Sequence, residues 1–196
     1  MAGKVAARRA ALRETLILSA ERRIAEGGLE ALKARDLAKD AGCALGAIYN
    51  VFEDLHELVL EVNARTFKRL GAAVAGELDQ AADDPVERLV VMGQAYHHFA
   101  TREYLSWRTL FDVARTTEMP TPEWYLAEIE KLFAYIAAPL GQLFPESSNE
   151  ERVLLTRGLF SSVHGIVFLG LDRVNSGVPV AQIDHTISLI LKRLAK

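Results

Sequence analysis

The chain reads as all-α with about nine helices, and three observations carry that reading. Apolar residues recur at three- and four-residue steps in one segment after another. Helix-capping residues stand before those segments and Gly or Pro stands after them. No alternating apolar run bounded by turn chemistry competes as a strand.

The first helix is marked by Leu12, Leu16, Ala20 and Ile24, a stripe at a four-residue step that Gly27 and Gly28 bring to a stop. A short helix over 34–41 ends at Gly42, and another covers 45–51. The fourth opens at Asp54, with Glu57 three residues on as a capping-box partner. It runs to about residue 80 with Leu58, Val62 and Leu70 inward. "DDPVE" repeats the start signal, with Asp84 as cap, Pro85 at the first helical position and Glu87 at the third. "MPTPEW" (119–124) is the next break, with Thr121 as cap and Pro122 opening a helix. Ser148 and Glu151 form a further capping box in "FPESSNEE", and "NSGVP" (175–179) separates the last two helices, 149–174 and 179–195. The predicted arrangement is a three-helix N-terminal domain (1–53) joined through the long fourth helix to a larger helical domain (54–196).

The 196 residues are half hydrophobic and a quarter charged, as in an ordinary globular protein with a real core. The net charge of −3 is unevenly spread: +2 over residues 1–70 and −5 over 71–196. Lys4, Arg8, Arg9 and Arg13 face no acid within 1–13, which suits either a nucleic-acid-facing end or a solvated helix start. The single cysteine, Cys43, leaves no intrachain disulfide or Cys-rich zinc site and is read as filling a small apolar slot. The N-terminus lacks a signal peptide's apolar run, and "GLFSSVHGIVFLGL" (158–171) is too short to span a bilayer. A soluble cytoplasmic protein without membrane contact is expected.

"AGCALGAIYNVF" (41–52) carries the chemistry. A helix-turn-helix needs small residues where its helices touch, a turn residue tolerant of unusual backbone angles, and apolar anchors behind the reading face. Leu37, Ala38 and Ala41 supply the first helix's inner face, Gly42 the turn, and Ile48 and Phe52 the anchors. Plain packing of a helical corner would ask for much the same residues.

The run "GGLEALKARDLAKDAGCALGAIYNVFEDLHELVLEV", behind an amphipathic first helix, resembles the DNA-binding domain of TetR-family transcriptional regulators. Gly28, Arg35, Leu37, Ala38, Ala41, Gly42, Gly46, Ile48, Tyr49, Phe52 and Leu58 carry the resemblance over about residues 9–60. "LFSSVHGIVFLGL" is similar, more weakly, to a His-Gly helix of one C-terminal subclass. The resemblance implies a homodimer that binds a palindromic operator and is released by a small-molecule effector. The reading helix then offers Ala44, Leu45, Gly46, Ala47, Tyr49 and Asn50, with Tyr49 and Asn50 at positions that touch phosphates in relatives. The chain departs from the pattern at Ala44 (commonly Ser or Thr), Val51 (His or Tyr), Leu55 (Lys) and Leu32 (Thr). Losing a cap at Ala44 costs ~1 kcal/mol locally. Positive charge must come from Lys33 and Arg35 and from Arg8, Arg9 and Arg13, so modest, strongly salt-dependent operator binding is expected.

In 54–196, aromatics cluster between 96 and 168. Most are core, yet an apolar cavity with a few polar groups is what an effector requires. Tyr104, Trp107, Phe111, Trp124, Phe160, His164 and Phe168 are the candidate ligand-binding set, with His164 foremost because it interrupts an apolar helix beside Gly165. His97 or His98, adjacent and so on different faces, is a further polar candidate. No metal site and no cofactor are expected, for want of ligand pairs at i, i+4 spacing on one helix. The helix at 149–174 is apolar or small on nearly every side, so it is buried either within the monomer or against a second subunit. An enzyme is the remote reading, with no nucleophile-base pair or phosphate loop. A regulator-like scaffold that binds ligand or protein but no longer reads DNA is the nearer alternative, motivated by Ala44, Val51 and Leu55.

Overall fold

The computed structural model describes residues 2–113 and 120–194. Nine α-helices lie among them: α1 Ala2–Gly27, α2 Ala34–Asp40, α3 Leu45–Ile48, α4 Leu55–Leu78, α5 Pro85–Arg102, α6 Tyr104–Asp112, α7 Glu123–Leu143, α8 Asn149–Leu171 and α9 Ile183–Leu194. Short 3-10 turns, Leu29–Ala31 and Val180–Gln182, precede α2 and α9. No strand occurs among the described residues.

Local capping explains most of these boundaries. The Glu57 N–H donates to Asp54 Oδ1 at 2.7 Å, opening α4, and the Glu87 N–H donates to Asp84 Oδ1 at 2.9 Å, opening α5. The return bond at α4 comes from Glu53 rather than Asp54, whose backbone neighbour thus donates to Glu57 Oε2 at 2.7 Å. At α8 the capping box is complete: Ser148 N–H donates to Glu151 Oε2, and Glu151 N–H to Ser148 Oγ. The expected Thr121 cap is not used. Pro122 occupies the cap position, with no side-chain hydrogen bond, and α7 starts at Glu123. Met119 of the expected break, and Ala195 at the expected end of the last helix, lie outside the described residues.

Other ends differ from expectation for identifiable reasons. The interval after Pro85 holds two helices, broken at Glu103, where no Gly or Pro announces the break. α8 stops at Leu171 rather than 174 because Arg173 takes a left-handed φ of 53°. Its N–H bonds the Gly170 carbonyl and the Val174 N–H bonds that of Leu169, closing the helix in a Schellman motif. α9 starts four residues late because Val180–Gln182 is a 3-10 turn.

Backbone contacts group the chain into two compact units. The first is Met1–Thr66 with Glu103–Thr121, and the second is Phe67–Arg102 with Pro122–Lys196. This grouping does not follow the chain-order division at 53/54: α4 contributes to both units, and α6 belongs with the N-terminal helices.

In the first unit Leu16, Ile17, Ala20 and Ile24 of α1 meet Leu37, Ala38, Ile48, Val51, Phe52, Leu58 and Val62 in one buried cluster. Cys43 packs at its edge, as the sequence predicts. α6 packs on α1, with Trp107 fully buried, and the buried Asn63 amide of α4 donates to the Thr109 carbonyl at 3.2 Å. Charged seams fasten α1: Arg13 pairs with Glu61, Arg65 with Glu14 and Glu21, and Arg22 and Arg23 with Asp40.

In the second unit α5 packs against α9, α7 and α8, and α7 against α8. α5 and α9 approach closely at Gly93, where a Cβ would stand 2.7 Å from Ile187 Cγ2. Taken over its whole length, Asn149–Leu171, α8 is by length and composition alone long and apolar enough to cross a bilayer. Such a composition equally suits a helix packed against protein, and α8 packs against α5, α7 and α9.

Candidate functional site

α2 ends in a Schellman motif that sets the corner. Ala41 closes the helix, the Gly42 N–H bonds the Lys39 carbonyl at 3.2 Å, and the Cys43 N–H bonds the Ala38 carbonyl at 2.9 Å. Gly42 holds φ at +62°, a left-handed conformation that costs an L side chain roughly 1–2 kcal/mol. The chain then enters α3 through Ala44, in extended conformation and with no side-chain cap.

α3 is one turn, Leu45–Ile48, not the predicted helix over 45–51. Past it the Val51 N–H bonds the Ile48 carbonyl at 3.0 Å and the Phe52 N–H the same carbonyl at 2.9 Å. An uncapped start and Gly46 inside the turn both weaken helix here. Ile48 and Phe52 anchor the turn from below, buried to within 1%. Above them Ala44, Leu45, Gly46, Tyr49 and Asn50 are exposed and Ala47 is half-buried, so the predicted reading residues share one surface.

Val51 does not belong to that surface. It is only 7% exposed and sits in the core cluster, while Leu55 and Leu32 pack at the cluster's edge. Of the four departures, Val51 thus lies in the core, Leu55 and Leu32 pack half-buried against it, and only Ala44 lies on the exposed surface.

The predicted cations divide in two. Arg8, Arg9, Lys33 and Arg35 are exposed and make no ion pair among the described residues. Arg13 is engaged: its guanidinium donates to Glu61 and lies 5.0 Å over the Phe52 ring. Arg8 and Arg9 sit within α1, so the basic N-terminal stretch is helical. On α2 the hydrogen bond from Arg23 holds the Asp40 carboxyl below its ordinary range, against a smaller opposing effect of burial. Arg23 also stands 3.7 Å from Asp36. The acids of α2 are thus paired inward with α1, while Lys33 and Arg35 face solvent.

The predicted ligand-binding residues also separate. Tyr104, Trp107 and Phe111 follow one another on α6, tilted and then edge-on at ring separations of 6.0 and 5.6 Å, in the first unit. In the second unit, Phe160, His164 and Phe168 recur at every fourth position on α8, with the His164 ring parallel to Phe160 at 5.5 Å and 5.4 Å from Phe168. Two residues that sequence reasoning treated as core complete this group. Tyr96 of α5 hydrogen-bonds His164 Nδ1 through its hydroxyl at 2.7 Å, and Phe133 of α7 meets Phe160 edge-on at 5.3 Å. Trp124 stands apart, half-exposed and edge-on to Tyr125.

α8 also carries a small, apolar outer stripe. Leu154, Gly158, Ser161, Ser162 and Leu169 are exposed and Gly165 is half-buried, at spacings that keep them on one side. On α9, Leu189, Ile190 and Leu194 are exposed.

No family model matches the sequence, and no curated protein does. Solved structures match over nearly the whole chain. A protein of unknown function from Rhodococcus sp. RHA1 superposes with a TM-score of 0.73 at 21% identity, covering 93% of this chain and 94% of its own. The TetR-family transcriptional regulator PfmR from Thermus thermophilus gives 0.62 at 20%, covering 91% and 97%. A TetR-family transcription regulator from Marinobacter aquaeolei VT8 gives 0.65 at 17%, covering 94% and 96%. At these identities the likeness establishes the fold: the chain has the helical architecture of TetR-family regulators.

Proposed function

We propose that this chain is a DNA-binding transcriptional regulator, a cytoplasmic homodimeric repressor that a small apolar or amphipathic ligand releases from a palindromic operator. One observation carries the reading. A glycine-turned corner presents Leu45, Ala47, Tyr49 and Asn50 on a rigid base, with Lys33 and Arg35 exposed at the start of the preceding helix. Leu45 and Ala47 suit thymine methyl groups in a major groove, and Tyr49, Asn50 and the cations suit phosphates. The TetR-like fold supports a regulator role.

Ligand binding belongs to the second unit in this reading. Phe160, His164 and Phe168, with Tyr96 and Phe133, form a cluster of rings, mostly edge-on or tilted to one another, around one hydrogen-bonded polar pair. That suits an apolar molecule with a single polar group. The ligand acts by preferring one arrangement of α4, the helix common to both units, and can shift DNA binding only by its differential affinity for the two states. The outer stripe of α8 with Leu189, Ile190 and Leu194 of α9 supplies an isologous dimer face, which brings two reading corners to two half-sites.

Selection from random duplexes tests the reading: a palindromic consensus should emerge. Its capture should weaken in Tyr49→Ala and in the double variant Lys33→Ala/Arg35→Ala. A ligand that releases the wild-type protein should not release His164→Ala, although that variant still binds DNA. A second reading, a scaffold that no longer reads DNA, is favoured by the uncapped single-turn α3 and predicts no enriched sequence.

A further inference from the structure

His97 and His98 are neighbours on α5, and both reach Asp184 in the first turn of α9. His97 Nδ1 lies 2.8 Å from Asp184 Oδ1, and His98 Nε2 lies 2.9 Å from Asp184 Oδ2. Adjacent helical side chains diverge by about 100°, which is why the sequence reading assigned them to different faces. Asp184 stands between the two directions, and its two oxygens span the gap. Gln94 steadies the same end of α9, its amide 3.5 Å from the Asp184 carbonyl.

We propose that His97, His98 and Asp184 form a binding site for a divalent transition-metal ion of the zinc type. One ligand atom from each residue lies within 4.8 Å of the others. Imidazole and carboxylate ligands stand ~2.0–2.2 Å from such a metal, so donors around one ion lie roughly 3.0–3.5 Å apart. The two short N···O contacts, one to each Asp184 oxygen, need to open by a few tenths of an ångström, and the two imidazole nitrogens, within 4.8 Å of each other, need to come to that spacing. The donor set, two imidazoles and one carboxylate, suits zinc, cobalt, nickel or copper rather than calcium or magnesium. The His97 ring is buried and its Nε2 has no partner, so Nδ1 is its sole polar attachment and already points at the site. The His98 side chain is 56% exposed and that of Asp184 40%, so the remaining coordination positions open to water. An ion here would tie α9 to α5, across the seam that Glu87 and Lys192 also bridge at 2.7 Å.

The test uses the full chain with any affinity tag removed, titrated with zinc(II) against a chromophoric chelator. One equivalent should bind. His98→Ala and Asp184→Asn should each weaken binding by at least about tenfold, while His185→Ala, exposed and outside the group, should leave it unchanged. Both informative positions are solvent-accessible, and circular dichroism checks that each variant folds before its binding is compared. Zinc should also raise the melting temperature of the wild type and of His185→Ala, but not of Asp184→Asn. Failure of the wild type to bind, or equal binding by all four proteins, overturns the site.

Discussion

Two left-handed residues and one missing hydroxyl decide most of the local behaviour. Gly42 holds φ +62° at the corner, so Gly42→Ala should lower stability by about 1–2 kcal/mol and loosen α3 relative to α2, read by thermal melting and DNA binding together. Arg173 holds φ +53° at the end of α8, and Arg173→Gly should raise stability by about 1 kcal/mol. Ala44 leaves α3 uncapped, and Ala44→Ser should add about 1 kcal/mol and tighten DNA binding, since the hydroxyl caps the turn and faces the phosphates. Equal melting temperatures for wild type and Ala44→Ser would show that the turn is held by its anchors alone. At this scale the sequence was legible wherever a residue acts on its own neighbours: Gly28, Gly42 and the Ser148–Glu151 box are local chemistry. Val51 and Leu55 were not. Both depart from the pattern that the resemblance implies, and only the assembled core shows that Val51 lies within it and Leu55 packs at its edge.

At the scale of elements, α1 is fastened by charge as well as by its apolar stripe. Foremost through the hydrogen bond from Arg65, and against a smaller opposing effect of burial, Glu14 titrates below the ordinary Glu value. A carboxyl lowered in the folded state contributes stability that is present above its unfolded pKa, about 4.3 for Glu, and is lost as pH falls through the folded value. The melting temperature should therefore fall as pH drops below about 5, and Arg65→Met should flatten part of that slope. The outer face of α9 makes the second prediction at this scale. Leu189→Glu with Ile190→Glu should yield a folded monomer in sedimentation and abolish high-affinity operator binding, because one reading corner alone holds one half-site. Helix identity was readable here from period and caps, but two features were not. The break at Glu103 carries no Gly or Pro, and the convergence of His97 and His98 on Asp184 joins residues more than eighty positions apart.

For the molecule as a whole, fold class and corner were legible because both rest on short-range patterns. The grouping of α6 with the N-terminal helices, and of Tyr96 and Phe133 with His164, was not, because each depends on which helices pack together. The proposed regulator needs a sequence-specific grip from a face with few polar groups, so phosphate contacts from Arg8, Arg9, Lys33 and Arg35 carry much of the affinity. Fluorescence anisotropy with a selected palindromic duplex and its scrambled counterpart tests this most directly. Two protomers should bind each duplex, with a preference for the matched sequence of at least about 10³-fold and affinity falling steeply between about 50 and 200 mM salt. Equal affinity for both duplexes, or binding indifferent to salt, would contradict it.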